Sequence, residues 1–356
     1  MIYLAIDHGK KKSHAVALSD SGEVLFDAEV PTTFEGFASI KAALPPGPIQ
    51  SICEASWNWG KVYDSLEALG LNPKLANTLK SRFIAESFTK TDRIDATTHA
   101  IMLRAGITPT VHVPPKEVRD QKNLLRHRFW LVQQQVMIKN RIHSIVDRNH
   151  IQPPARTDLF AGTGRAWLNA LTLREPDDKL LKAHLALYDT LRADTRQTEK
   201  WVDVAIKDNK LLPILESFPG IGPILGALIA LEVDTIDRFN SPSKFSAYCG
   251  LVPSTYSSSG KTVHGRMIPS NRHLKYAFIE AAWNASRSSP YFQAFFERLK
   301  ARKGSCKAVS AVARKMSEIA YFCMKHNRPY QERAYRLGKT QAEALEQFSR
   351  VALTSH

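Results

Sequence analysis

Ile2-Tyr3-Leu4-Ala5-Ile6-Asp7, His14-Ala15-Val16-Ala17-Leu18 and Glu23-Val24-Leu25-Phe26-Asp27-Ala28-Glu29-Val30 follow one another within the first thirty residues. Each is a short apolar run. A Gly9-Lys10-Lys11-Lys12 stretch separates the first two, and a Ser21-Gly22 turn leads into the third. Three strands joined by tight turns are expected from such a pattern.

Outward from this start, strands and helices alternate. Phe34–Leu44 has helical spacing and stops at Pro45-Pro46-Gly47-Pro48. Ile49–Cys53 reads as a strand ending at Glu54. Trp59–Leu69 is amphipathic and meets Gly70, a C-cap signal. Pro73–Ala76 reads as a last strand. Arg82–Phe88 and Arg93–Arg104 read as helices, the second closing at Gly106. The order βββαβαβα is that of a ribonuclease-H-like fold, a mixed sheet with helices on its faces.

The chain has 356 residues, enough for two domains or more. Four regions are expected: an α/β domain over 1–110, a helical, coiled-coil-like arm over 111–210, a mainly α C-terminal domain over 211–340, and a tail over 341–356. The arm rests on Glu117–His150 and Asp177–Asn209, which are long and nearly free of Gly and Pro. Such an arm would space or assemble protomers.

Charge narrows the partner. Lys and Arg number 49 against 34 Asp and Glu, a net charge of +15. The surplus is clustered. Arg238–Ile279 contains no acid, and residues 300–339 hold eleven Lys or Arg against Glu318 and Glu332. Nucleic acid is the expected partner. No apolar run approaches the roughly 20 residues that span a bilayer, and Met1–Lys12 lacks a signal-peptide layout. A soluble, intracellular protein is expected. Cys53, Cys249, Cys306 and Cys323 are far apart, with no spacing for a zinc site.

The acids carry the chemistry. Asp7 and Glu54 each end a strand, and neighbouring strands would bring both to one sheet edge. Asp92 and Asp95, three apart on a helix, share a face. Four converging carboxylates repel one another unless a cation neutralises them, and hard oxygen donors select Mg²⁺ or Mn²⁺. Taken singly, each acid has an ordinary reading: a turn residue, a helix N-cap at Asp92, an ion-pair partner for Arg93 or Lys90 at Asp95. Lys10, Lys11 and Lys12, beside Asp7, would hold a phosphate strand or form a solvated turn, and Lys90 and Arg93, around Asp92, are further phosphate-contact candidates.

Two further segments offer phosphate contacts. Phe218-Pro219-Gly220-Ile221-Gly222-Pro223 joins apolar runs Leu211–Phe218 and Ile224–Leu231, and Gly220 and Gly222 would present backbone N–H groups at a helix start. A plain helical hairpin fits the same residues. In the acid-free window, Ser257-Ser258-Ser259-Gly260-Lys261 reads either as a Ser/Gly turn between strands or as a nucleophile among cations. Lys261, Arg266, Asn271, Arg272 and Lys275 are the phosphate-contact candidates there.

Together these pieces resemble the DEDD transposases of bacterial insertion sequences, the IS one-ten family, related to the Piv DNA invertases. The resemblance rests on Ala5-Ile6-Asp7-His8-Gly9-Lys10, Cys53-Glu54-Ala55 and Thr89-Lys90-Thr91-Asp92-Arg93-Ile94-Asp95-Ala96. At the C-terminal end it rests on Phe218–Gly222, Phe245-Ser246-Ala247-Tyr248-Cys249-Gly250-Leu251-Val252-Pro253 and Ser259-Gly260. It implies a RuvC-like domain with a metal site at Asp7, Glu54, Asp92 and Asp95, and a serine nucleophile matched by Ser259, with Ser258 in reserve. It also implies double-stranded donor and target DNA, a structured non-coding guide RNA, a dimer or tetramer, and a cytoplasmic, nucleoid-associated place in a prokaryotic cell. Where the family commonly has Gly-Asn and then Leu-Arg, this chain has Ser270-Asn271-Arg272-His273-Leu274-Lys275.

Three other readings compete. A RuvC-like Holliday-junction resolvase would use the acids without the serine. An actin-like sugar or acetate kinase would explain Asp7-His8-Gly9-Lys10-Lys11 as a phosphate loop, but no second Asp-x-Gly loop follows. A non-catalytic nucleic-acid binder would be indifferent to Asp7 and Mg²⁺.

Overall fold

The computed structural model describes residues 1–84, 91–155, 158–258, 261–267 and 270–332, with backbone alone for residues 82–84, 255–258 and 261–267. The chain divides into two compact units, Met1–Pro114 and Pro115–His356.

Unit 1 is built on a five-stranded mixed sheet. Strands β1 (Ile2–His8), β2 (Lys12–Leu18) and β3 (Val24–Pro31) form an antiparallel meander. After α1 (Phe34–Ala43) the chain adds β4 (Ile49–Glu54) parallel to β1, and after α2 (Trp59–Ala68) it adds β5 (Pro73–Ala76) parallel to β4. The strand order is β3-β2-β1-β4-β5. Helices α3 (Thr78–Ile84) and α4 (Asp92–Arg104) follow.

Period-2 alternation assigns the sheet's faces. Ile2, Leu4 and Ile6 point to one face, with Ala15, Ala17 and Cys53, and are covered by Phe37 and Ile40 of α1 and Val62 and Leu66 of α2. Ala5, Val16 and Ile52 point to the other face, against Ala96, Ala100 and Leu103 of α4. Both faces of the central strands β1 and β4 are covered, so these strands read as nearly continuous apolar runs.

The order of elements follows the sequence pattern, with one displaced boundary. The helix expected over Arg82–Phe88 begins at Thr78 instead. Asn77 Oδ1 accepts from the Lys80 N–H at 3.1 Å, a cap that starts the helix early. The remainder of the expected span, residues 85–88, lies outside the described residues.

Unit 2 is mainly helical. Helices α5 (Lys116–Arg148) and α7 (Asp177–Ile206) run antiparallel, with α6 (Gly162–Ala170) between them in the chain. Arg128 Nε donates to Glu199 Oε1 at 3.0 Å, Gln135 Nε2 donates to Thr195 Oγ1 at 2.6 Å, and Arg148 pairs with Asp177. One end of the pair encloses a core with Ile142, Phe160, Leu181 and Tyr188. The other end joins a larger core through Leu125, Val202 and Ile206.

That larger core surrounds α9 (Pro223–Val233), which follows α8 (Leu212–Glu216). From Gly226 to Val233 every residue of α9 is buried, as expected for a helix apolar on all sides. Helices α10 (Pro242–Tyr248), α11 (Arg272–Ser288), α12 (Pro290–Lys303) and α13 (Ser305–Lys325) complete the layer. Between α10 and α11 lies a two-stranded antiparallel hairpin, β6 (Pro253–Ser258) and β7 (Lys261–Met267). Tyr256 pairs with Val263 across it and Ser257 with Thr262, and aromatic and β-branched residues favour the pleated backbone. Among the described residues no helix is long and apolar enough to cross a membrane.

Candidate active site

Parallel register places the first two acids. Ile6 pairs with Cys53, so Asp7 and Glu54 occupy matching positions at the C-terminal edge of β1 and β4. Alternation then puts both on the α4 face, because Ala5 and Ile52, two residues back, pack against α4.

The same helix supplies the other two. Thr91 caps α4, its side chain accepting the Ile94 N–H at 3.2 Å. The N-cap role is therefore filled without Asp92, which begins the helix proper. Asp92, Asp95, Ala96, His99, Ala100 and Leu103 recur at helical spacing on one stripe. Its lower part packs on the sheet, and its first turn carries the two acids past the sheet edge.

These acids share one electrostatic field. The carboxyl of Asp7 is pushed up to about 6, first by burial and then by the charges of Asp92, Glu54 and Asp95. Among the described residues, no group of three or more His, Cys, Asp or Glu side chains could hold a metal ion as they stand. The donor set nevertheless has the chemistry a hard divalent cation needs, oxygen ligands with excess negative charge. Asp92 is exposed and Asp95 half-buried.

Two histidines unforeseen in the sequence flank the acids. His99 Nε2 lies 2.7 Å from Glu54 Oε1, and the ring is buried. His8 Nε2 lies 3.1 Å from the Trp57 carbonyl and 3.1 Å from Ser56 Oγ, pinning the loop that leaves Glu54. Burial holds the His8 pKa below its usual value. The spacing of His99, four residues after Asp95, was the available signal. Its partner on β4 was not legible locally.

The expected phosphate contacts in unit 1 fare unevenly. Lys10 and Lys11 are exposed in the β1–β2 turn, and Lys12, exposed at the start of β2, has its Nζ 2.8 Å from Glu29 Oε1. Gly9 closes that turn, its N–H donating to the Lys12 carbonyl at 3.0 Å. Arg93 Nε donates to Asp27 Oδ2 at 2.8 Å and remains largely exposed. Lys90 lies outside the described residues.

In unit 2, Gly220 has a φ of +85° and packs so closely on α11 that a Cβ would meet the Ala281 carbonyl oxygen at 2.4 Å. Gly222 is exposed at the start of α9, with open space around it. Asn271 is committed to structure. Its Oδ1 caps α11 by accepting from the His273 and Leu274 N–H groups at 3.0 and 3.1 Å, and its Nδ2 donates to Glu232 Oε2 at 2.9 Å. Arg272 is exposed and Lys275 half-buried. Ser259 lies outside the described residues, as do the side chains of Ser258, Lys261 and Arg266.

Glu232 is itself a buried hub on α9. Arg126 donates to its Oε1 at 2.7 Å, and Lys122 Nζ stands 3.8 Å from Oε2, both from α5. Burial pulls the Glu232 pKa up, but Lys122, Arg126 and Asn271 together bring it below its usual value.

Sequence comparison agrees with this architecture. Residues 4–151 match a family model described as Transposase, of the DEDD IS110 type, and residues 212–297 match the model described as Transposase IS116/IS110/IS902 family. The two matches take in both the acid-bearing sheet and the α8–α12 region, which is the build of a DEDD transposase. The chain belongs to the IS110 family of insertion-sequence transposases.

Among similar proteins is the Insertion element IS116 uncharacterized 44.8 kDa protein of Streptomyces clavuligerus, 25% identical across 80% of this chain and 84% of that one. The Insertion element IS110 uncharacterized 43.6 kDa protein of Streptomyces coelicolor is 28% identical, with 39% of this chain and 35% of the relative aligned. The Pilin gene-inverting protein of Moraxella bovis is 27% identical, with 36% of this chain and 41% of the relative aligned. The chain thus spans well under half the length of the last two.

Proposed function

We propose that this chain is a site-specific DNA recombinase that moves an insertion sequence, with Asp7, Glu54, Asp92 and Asp95 as ligands for Mg²⁺ or Mn²⁺. The carrying observation is the convergence of the acids at one sheet edge, where burial first, and then the charges of Asp92, Glu54 and Asp95, push Asp7 up to about 6. Bunched carboxylates held this way are costly unless a cation neutralises them. The strand order β3-β2-β1-β4-β5, with acids at the shared edge of β1 and β4, supports a RuvC-like, ribonuclease-H-like reading of unit 1.

When bound, the cation would stabilise charge on the attacking and leaving oxygens of a phosphodiester. The four acids would hold it, and rotation of Asp92 and Asp95 on the exposed first turn of α4 would complete the ligand set. Lys10, Lys11 and Lys12 would hold the phosphate backbone beside Asp7. Gly220, Gly222, Arg272 and Lys275 would do so in unit 2 without reading bases. Ser259 is the proposed nucleophile: its Oγ forms a bond to phosphorus as one P–O ester bond breaks, and the released strand hydroxyl gains the proton the serine loses.

The proposed partners are double-stranded donor and target DNA, a structured non-coding guide RNA, and further copies of the chain assembled through α5 and α7. The printed name of the Moraxella relative adds inversion to insertion and excision as outcomes this chemistry could serve. The test is Mg²⁺-dependent cleavage and joining of element-end DNA. Asp7→Asn and Asp95→Asn should each abolish it while leaving the circular-dichroism spectrum intact. Full recombination by either variant would overturn the metal-site reading.

A further inference from the structure

We infer that His99 is a positioning residue for Glu54, clamping one carboxylate oxygen so that the acid stands ready for the cation. The inference rests on the reading of the four acids as a divalent-metal site. Glu54 sits on the last position of β4, where its backbone is fixed by the sheet but its side chain has three torsions to settle. His99 Nε2 restrains them from 2.7 Å, at Oε1. A carboxylate only accepts, so the ring donates through Nε2.

The other ring nitrogen, Nδ1, is buried and has no hydrogen-bond partner among the described residues. A buried polar atom left unpaired is a cost that an apolar side chain would avoid. Among the described residues, the ring's hydrogen bond is the one to Glu54. The position on the stripe gives the arrangement its sense. Asp92, Asp95 and His99 share a face of α4, so one helix supplies two ligands and the clamp for a third. The sheet-borne and helix-borne acids are thereby held as a unit. Carboxylates and histidines that orient ligands in this way typically contribute 10–100-fold in metal affinity.

The test uses the full chain, stripped of metal, with Mn²⁺ as the probe. Free Mn²⁺ is followed by electron paramagnetic resonance, and the metal-free thermal midpoint is recorded alongside. His99→Leu should weaken Mn²⁺ binding by roughly 10–100-fold with a metal-free midpoint at or above the wild-type value. His99→Gln, whose amide can donate from a similar position, should bind Mn²⁺ close to wild type. Undiminished affinity in His99→Leu overturns the inference. So does a His99→Gln variant as weak as His99→Leu, since packing of the imidazole would then explain the loss. Asp7→Asn separates the two levels. If it too binds Mn²⁺ normally, the acid-site reading itself falls. If it loses Mn²⁺ while His99→Leu does not, only the role of His99 falls.

Discussion

Arg93 on α4 donates through Nε to Asp27 Oδ2 on β3 at 2.8 Å, while His14 Nε2 lies 2.7 Å from Oδ1 of the same carboxylate. His14 pairs with Asp7 in the β1–β2 register. The first turn of α4, which carries Asp92 and Asp95, is thus tethered to the sheet at two removes from Asp7. The His14 hydrogen bond, and then Arg93, hold the Asp27 carboxyl below its usual pKa. The stability this provides is present above the unfolded value near 4 and is lost as pH falls through the folded one. Asp27→Ala should lower the thermal midpoint modestly at neutral pH, with the gap closing in acid. A gap that persists unchanged at pH 3 would argue that packing, not charge, is what Asp27 supplies.

Asp7 gives the opposite sign. Its carboxyl is raised from 3.8 to about 6 in the fold, so its contribution is favourable at low pH and lost as pH rises through about 6. After discounting for solvent screening, the cost of the charge in the metal-free protein is on the order of 1–2 kcal/mol. Asp7→Asn should therefore melt higher than wild type at pH 7.5 without metal, and equally at pH 4. Mg²⁺ should raise the wild-type midpoint and leave the variant unmoved. A variant that melts lower than wild type at pH 7.5 would remove the repulsion argument.

Glu232 neutralises two cations from α5 and fixes the cap of α11. Breaking a buried pair by removing one partner leaves the other charges uncompensated, at roughly 3–5 kcal/mol. Glu232→Ala should show that scale of loss in urea unfolding, and Glu232→Gln, which keeps one acceptor oxygen for Arg126 or Asn271, a smaller one. A Glu232→Gln variant as stable as wild type would mean the charge contributes nothing.

The two glycines of the α8–α9 turn should differ sharply. Gly220→Ala places a Cβ 2.4 Å from the Ala281 carbonyl oxygen at a positive φ and should cost more than about 1 kcal/mol. Gly222→Ala meets open space at a φ of −93° and should leave the melting midpoint unchanged. Similar midpoints for both would contradict the close approach of α11.

Much of unit 1 was legible because its signals are local. Apolar runs, turns and strand-end acids lie within a few residues of one another, and register carries Asp7 to Glu54 once β1 and β4 pair. The helix start at Thr78 was missed because Asn77 was not read as a cap. The β6–β7 hairpin is one of the two readings of Ser257–Lys261, a turn between strands, and the same serines among cations also fit a nucleophile. Asn271 illustrates the deeper limit. The window from Arg238 to Ile279 holds no acid, which made Asn271 look like a phosphate contact. The fold brings Glu232 from outside that window to accept its amide hydrogen bond. His99 and Glu54, 45 residues apart, are a contact of the same long-range kind.

The most direct measurement is covalent capture. Wild type and Asp7→Asn are incubated with Mg²⁺, element-end DNA and the adjacent non-coding RNA, resolved on a denaturing gel, and mapped by mass spectrometry. The account predicts a DNA adduct on Ser259 in the wild type and none in Asp7→Asn. Cleavage and adduct formation undiminished in Asp7→Asn would contradict it.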